Sequence, residues 1–393
     1  MSKRREAALL AYIAFVGILD TSVMIPTIAA YAKSLGASEF EAGLIAGMYS
    51  YIALAASVAA GIVVDLIGRK RALVIGLLWD SVAVALYSLA RTPLHLAVLR
   101  GLHALGGSLV YPAAYARAAG GGEPNIPRLS LALAATAIAV AVGITLGGVG
   151  AHVIGFKPLY LMVSIMLLTG TIAALALPST SQESFGRENV RNLREVLQGL
   201  RRAGFLVALG SYTILTAYIG LGVVTGGLAT ALLRDGLAGS EREASRIAGE
   251  VLGVMVIASS LVILALGRAY QPGRGMLLLA ASSILGSLAI LAYIALGPTP
   301  LYIALAVIGG GLSLGSLILA STILVISAPP ESRGTAVGVQ QVFNIIGAGV
   351  GAALGGLASE YVGVTGVIVL AGLAGIAASL GPLTSLRIQG LRA

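Results

Sequence analysis

The chain has 393 residues, of which 58% are hydrophobic and only 10% charged, with a mean hydropathy of +0.97. Soluble domains carry about 25% charged residues, so the composition excludes a soluble globular protein and defines an integral membrane protein. Cysteine is absent, which removes disulfides, thiol chemistry and Cys-based metal sites.

A membrane crossing needs about 20 apolar residues. Such stretches lie near residues 7–31, 41–64, 71–90, 94–117, 129–152 and 158–177, and again near 205–232, 247–267, 275–296, 300–327, 334–359 and 363–386. They predict an all-α membrane protein with twelve transmembrane helices, since no run of short alternating segments suits a β-barrel. Met1-Ser-Lys-Arg-Arg leads straight into the first stretch with no short apolar region and cleavage site, so that stretch is expected to be retained as a helix. The 53 glycines fit helices that pack through small side chains.

The net charge of +9 encodes orientation rather than a nucleic-acid partner. With the N-terminus inside, 18 of the 25 Lys and Arg residues fall on cytoplasmic segments and six outside, with Arg100 alone within a crossing. That bias places both termini in the cytoplasm, and the expected location is the plasma membrane.

The longest polar interruption follows the sixth helix. It divides the chain into an N-terminal six-helix bundle (1–178), a cytoplasmic linker (179–203) and a C-terminal bundle (204–393), and Asn192–Arg202 could form an amphipathic helix. The halves share sequence: "VGITLGGVGAHVIG" (142–155) aligns without gaps to "VGAALGGLASEYVG" (350–363), a shift of 208 residues. The same shift places Gly107-Ser108-Leu109 on Gly315-Ser316-Leu317. Duplicated six-helix halves are a transporter architecture, with the substrate site near the midplane.

Between the second and third helices stands "GIVVDLIGRKRA", residues 61–72. It resembles the G-x-x-x-D-R-x-G-R-R/K signature of the major facilitator superfamily: Gly61, Asp65, Gly68, Arg69 and Lys70 match, and Leu66 stands where the signature has Arg. In the second half only Gly273-Arg274 remains at the corresponding loop, with Ala269 at the acidic position. The resemblance implies two pseudo-symmetric bundles, alternating access, and a conformational latch on the cytoplasmic side built from Gly61, Asp65, Gly68 and Arg69. A carboxylate at position 65 can meet the positive N-terminal end of the eleventh helix, or Arg117 at the end of the fourth.

The fourth helix, "LAVLRGLHALGGSLVYP" (96–112), resembles the R-x-x-Q-G-x-G pattern of proton-coupled drug antiporters. Arg100 and Gly106 match, His103 replaces Gln and Ala104 replaces the first Gly. The fifth helix, "AVAVGITLGG" (139–148), resembles their G-x-x-x-G-P-x-x-G-G motif through Gly143, Gly147 and Gly148, with Ala139 and Ile144 in place of the first Gly and the Pro. "LDTSVMIP" around Asp20 is similar to the first-helix L-D-x-T…P of drug exporters. These partial matches imply the twelve-helix drug:proton antiporter branch.

Asp20 is the only charge between Ala7 and Tyr31. An ionisable residue inside a membrane helix is costly and marks a functional position. Arg100 is the expected partner, and a change in their separation would change the proton affinity of the carboxylate. The competing reading is a fixed ion pair that only positions two helices, a poor source of stability. Asp80 in the third helix is the second proton-coupling candidate and a rival for Arg100. His103, one turn from Arg100, is either a proton relay or a packing residue. Arg100 belongs to one half alone, because the 208-residue shift lands on Ile308.

Met24, Tyr111, Tyr212, Tyr218, Gln340 and Asn344 are candidate substrate-cavity residues. Tyrosines also favour membrane interfaces, and Gln and Asn also join helices, so both readings stay open. No H-E-x-x-H, G-x-S-x-G or Walker pattern occurs, and the three histidines are too scattered for a metal site. The expected protein is therefore not an enzyme and needs no metal or cofactor beyond a proton gradient. Its expected partners are a small-molecule substrate, protons and the lipid bilayer, and it is expected to be a monomer. The expected activity is antiport of hydrophobic or amphipathic small molecules against protons, the alternative being proton symport of a sugar or small metabolite.

The charge bias gives a direct test of orientation in a chain free of native cysteine. Arg5→Cys and Arg392→Cys should react with an impermeant maleimide only after cells are opened. Labelling of either on intact cells would reverse the topology.

Overall fold

The computed structural model describes residues 2–179, 193–297 and 300–390. Among them there is no β-strand. The first half runs α1 (Lys3–Met24), α2 (Ile28–Ser34), α3 (Glu39–Ile67), α4 (Arg69–Tyr87), α5 (Pro93–Ala119), α6 (Ile126–Ile154) and α7 (Phe156–Leu175), followed by the short α8 (Leu193–Arg202). The second half runs α9 (Gly204–Arg234), α10 (Glu241–Ala269), α11 (Gly275–Leu291), α12 (Tyr293–Leu296) and α13 (Pro300–Ile326). A 3-10 turn at Pro330–Ser332 then leads into α14 (Arg333–Tyr361), α15 (Val364–Ala378) and α16 (Leu380–Gly390).

Ten of the described helical segments are long and apolar enough to cross a bilayer. The 19-residue α4 and 27-residue α5 have the length but carry Arg69, Lys70, Arg71 and Asp80, or Arg100 and Arg117. The expected continuous first helix is two, α1 and α2. Pro26 has no N–H to donate and its ring crowds the preceding turn, so the chain turns at Ile25–Thr27 before helix resumes. Local chemistry sets the helix starts. Ser2, Thr92, Asn125 and Ser240 each accept a backbone N–H three residues on, and Ser38 forms a reciprocal capping box with Glu41. At the end of α3, Gly68 adopts φ +93°, a conformation side chains resist, and the chain reverses into α4.

The chain packs into two compact units, Met1–Ala203 with Ala328–Val342, and Gly204–Ser327 with Phe343–Ala393. The first residues of α14 therefore pack with the first unit. Of the expected amphipathic linker helix, Leu193–Arg202 is α8, while Asn192 and residues 180–191 lie outside the described residues. Within the first unit α8 buries Val196 and Gly199 and leaves Leu193 and Leu197 exposed.

The internal repeat is visible as packing. On α6, a Cβ at Gly143 would stand 2.9 Å from the Leu19 carbonyl oxygen, and one at Gly147 would collide with that of Val23. On α14, Cβ atoms at Gly351 and Gly355, each 208 positions on, would collide with the Ile219 and Val223 carbonyl oxygens of α9. Each unit thus uses the same glycine pair, four residues apart, to bring one helix against the backbone of another. A Cβ at Gly148 or at its counterpart Gly356 would meet nothing within 4 Å. Hence Gly147→Leu and Gly355→Leu should each destabilise the protein by about 1–3 kcal/mol through overpacking, and Gly148→Ala and Gly356→Ala should not. Melting temperatures of the purified variants check this, and equal stability of all four would refute the packing account.

Candidate functional site

The interior of the first unit holds the charged residues. Antiparallel α1 and α5 set Asp20 opposite His103 and, one turn along each helix, Met24 opposite Arg100. His103 Nε2 lies 2.7 Å from Asp20 Oδ2, and its Nδ1 lies 3.1 Å from the Tyr87 hydroxyl on α4. Arg100 donates to Met24 Sδ at 2.9 Å, stacks 4.9 Å from the Tyr49 ring centre of α3, and reaches the Tyr87 hydroxyl. An ionised carboxylate can only accept, so His103 donates its Nε2–H to Asp20 and its Nδ1 accepts from the Tyr87 hydroxyl.

The expected Asp20–Arg100 ion pair is not formed. The register along α1 and α5 gives the shorter imidazole to the carboxylate and places the guanidinium a turn away. Asp80 on α4 turns inward: its Oδ1 is 4.0 Å from His103 Nε2. Gly106 makes room for it, since a Cβ there would collide with Asp80 Oδ1. Neither Asp80 oxygen has a partner with hydrogen-bond geometry, although the Gly107 backbone lies nearby. Asp20, Asp80, Arg100 and His103 are at most 5% exposed.

A second constellation lies at the α3–α4 turn. Asp65 Oδ1 accepts the Gly334 N–H at 2.9 Å, and Oδ2 accepts the Thr335 N–H at 2.7 Å and its hydroxyl at 2.8 Å. A carboxylate thus caps the N-terminus of α14, where unpaired N–H groups and the helix dipole favour negative charge. Gly61 lets α3 approach that helix, because a Cβ there would stand 2.5 Å from the Gly334 carbonyl oxygen. Arg69 donates to the carbonyls of Gly120 (2.9 Å) and Pro330 (2.6 Å), and Arg333 donates to Gly120 (2.6 Å) and Gly122 (2.8 Å). Arg117 lies apart from Asp65, 3.4 Å from Glu6 and donating to the Pro178 carbonyl.

The candidate cavity residues divide between the units. Met24, Tyr111 and Gln340 belong to the first, and Tyr212, Tyr218 and Asn344 to the second. Met24 is fully buried and engaged by Arg100, Tyr111 stacks edge-on with Tyr115, and Tyr212 donates to the Ala377 carbonyl. Tyr49, Tyr87, Arg333 and Thr335 escaped the sequence reading. Tyr87 stands seven residues after Asp80, two turns along one helix face, and Arg333 and Thr335 flank a glycine just after a double proline. Both signals were legible.

A helical membrane fold in two units, with a buried charge cluster and a capped turn between its second and third long helices, is the build of a secondary transporter. Residues 10–323 match the Major Facilitator Superfamily, and the chain belongs to that family. Over 166 residues it is 26% identical to an uncharacterized MFS-type transporter of Methanocaldococcus jannaschii, covering 42% of this chain and 43% of that relative. The human organic anion transporter TETRAN has a similar structure (TM-score 0.74, 14% identity, 97% of this chain and 100% of that one). So does the transporter FucP in its outward conformation (TM-score 0.74, 14% identity, 96% and 98%).

The Asp65 cap yields a local prediction. Asp65→Asn keeps the shape but loses the charge and one acceptor, and charge-assisted hydrogen bonds of this kind contribute about 1.5–3 kcal/mol. Hydrogen exchange in a peptide covering residues 330–340 should accelerate roughly tenfold or more, while ligand affinity is retained. Unchanged exchange there would show that the cap does not hold the start of α14.

Proposed function

We propose that the protein is a proton-coupled antiporter working by alternating access, exporting hydrophobic or amphipathic small molecules. The observation that carries this reading is the charge balance of the buried cluster. Asp20 and Asp80 face a single guanidinium, so with both carboxylates ionised and His103 neutral the cluster is one positive charge short. An uncompensated charge in a dry interior is strongly unfavourable, and a proton supplies the missing charge at no cost in volume.

Asp20, Asp80 and His103 lie close enough together to hold that proton between them. Tyr87 holds the imidazole through Nδ1, and Arg100 acts through its field on the cluster. The donor atoms of Asp20, Asp80 and His103 lie within 4.8 Å of one another, a spacing also open to a cation. The neighbouring guanidinium opposes a divalent ion, and the hydrogen bond to Asp20 occupies the imidazole nitrogen such an ion would need. Apolar surroundings and partial likeness to the drug antiporter motifs of the fourth and fifth helices favour a hydrophobic cargo. The glycine part of that likeness has less weight, because Gly351 and Gly355 repeat the packing in the other unit.

Substrate-induced proton movement in proteoliposomes tests the proposal. Adding substrate should drive protons opposite to it in the wild type. Asp20→Asn and Asp80→Asn should each reduce that flux to background while substrate binding stays measurable and loses its dependence on pH. Proton movement in the same direction as substrate would assign symport instead. Wild-type proton flux in both variants would remove the cluster from the coupling mechanism.

A further inference from the structure

Among the described residues the second unit has no counterpart of the charge cluster; its interior contains an apolar cavity of about 300 Å³. Helices α9 to α13 and α15 enclose it, with Leu228 on α9, Val251 and Met255 on α10, Tyr293 on α12, Ala306 on α13 and Ala371 on α15 among its walls. A smaller void of about 40 Å³ shares Val224, Met255, Ile290 and Ala371 with it and extends it towards Gly310 and Gly375. Leu228, Leu232, Val364, Val367, Ile368 and Ala371 of the larger cavity's wall belong to an apolar core cluster of the unit, while the wall residue Leu237 is exposed, so the space is a pocket of the bundle that is open in part. Small residues on α13 and α15 and the interruption of α11 at Ala292 leave the volume unfilled.

Among the described residues, Tyr293 is the only one in the wall of the larger cavity with a side-chain oxygen or nitrogen, and none of them is charged. Water in a cavity needs two to four polar partners, whereas an apolar cavity of about 150 Å³ stays dry and takes a benzene-sized guest. This one is about twice that size. Without a carboxylate in the wall, a cationic group would be buried unpaired at high cost.

We propose that this cavity is a binding site for a neutral apolar group, two linked or fused rings or a hydrocarbon chain of similar volume. The inference rests on the transport reading for its consequence, that such a group forms the buried part of the cargo. Binding itself stands on the cavity alone. Two sources carry the same chemistry, a free hydrophobic solute and the acyl chain of a phospholipid.

The protein has one tryptophan, Trp79, in the first unit. In the double variant Trp79→Phe, Tyr293→Trp, the single indole sits at the cavity wall. In lipid nanodiscs, 1-bromonaphthalene should quench it saturably. Adding Ala371→Phe, which fills the cavity, should weaken the apparent affinity roughly tenfold or more. In a second arm, phospholipids brominated on the acyl chain replace the solute. Quenching that is lost on filling the cavity, and relieved by unbrominated naphthalene, makes the acyl chain a resident that the solute displaces. Quenching by either agent that survives the filling substitution overturns the site.

Should Ala371→Phe fail to fold, Ala306→Leu serves as the filling variant. The bromine anomalous signal in wild-type crystals soaked with 1-bromonaphthalene then decides independently: a peak between α9, α10 and α15 supports the site, and its absence overturns it. Asp20→Asn should bind 1-bromonaphthalene as the wild type does. Loss of proton coupling and loss of this site are thereby told apart.

Discussion

Two carboxylates buried in one membrane-embedded bundle, with one guanidinium and one imidazole to compensate them, set the terms for the first unit. Each such charge must find a partner or be neutralised, because burying a charge unpaired is strongly unfavourable. Asp20 finds His103, Arg100 finds a thioether, an aromatic face and a phenol, and Asp80 is left without a hydrogen-bond partner. The polar surroundings follow from these needs. Tyr49 and Tyr87 pack their rings around His103, and Gly106 and Gly107 give up side chains to make room for Asp80 and Tyr49. An arrangement with one charge too few is poor as a scaffold.

The second unit is built on the same scaffold without that burden. Its glycine pair repeats that of the first, and where Arg100 would stand it has Ile308. Freed of buried charge, its core is apolar, and its imperfect filling leaves space rather than an unsatisfied polar group. Duplication followed by divergence of the two interiors gives one unit a charge-binding centre and the other a hydrophobic void. The glycines of the fifth helix belong to the shared scaffold, so their resemblance to an antiport motif reflects helix packing as much as coupling.

At the α3–α4 turn, one carboxylate satisfies two helix N–H groups and a hydroxyl, while two arginines fasten the Gly120–Gly122 loop and Pro330 by their carbonyls. Every one of these bonds except the Thr335 hydroxyl's ends on backbone. The contact therefore depends on where the segments lie rather than on which side chains they carry.

Much of this protein was legible in the sequence alone. Hydropathy and charge counts identified the long helices, because a bilayer demands apolar length and exacts a cost for each misplaced charge. The G-x-x-x-D…G-R-K turn and the 208-residue repeat identified the family and the two halves, since both depend on glycine and charge at fixed spacing. The break at Pro26 was within reach of the same rules. Partner choice was not. Whether Asp20 meets Arg100 or His103 depends on a one-turn register between α1 and α5, which brings together residues 80 or more positions apart in the chain, and no local pattern encodes that offset. The reach of Arg333 to Gly120 and the void beside Ala371 likewise arise only when helices distant in sequence pack together, because packing decides which faces meet and which spaces are left over.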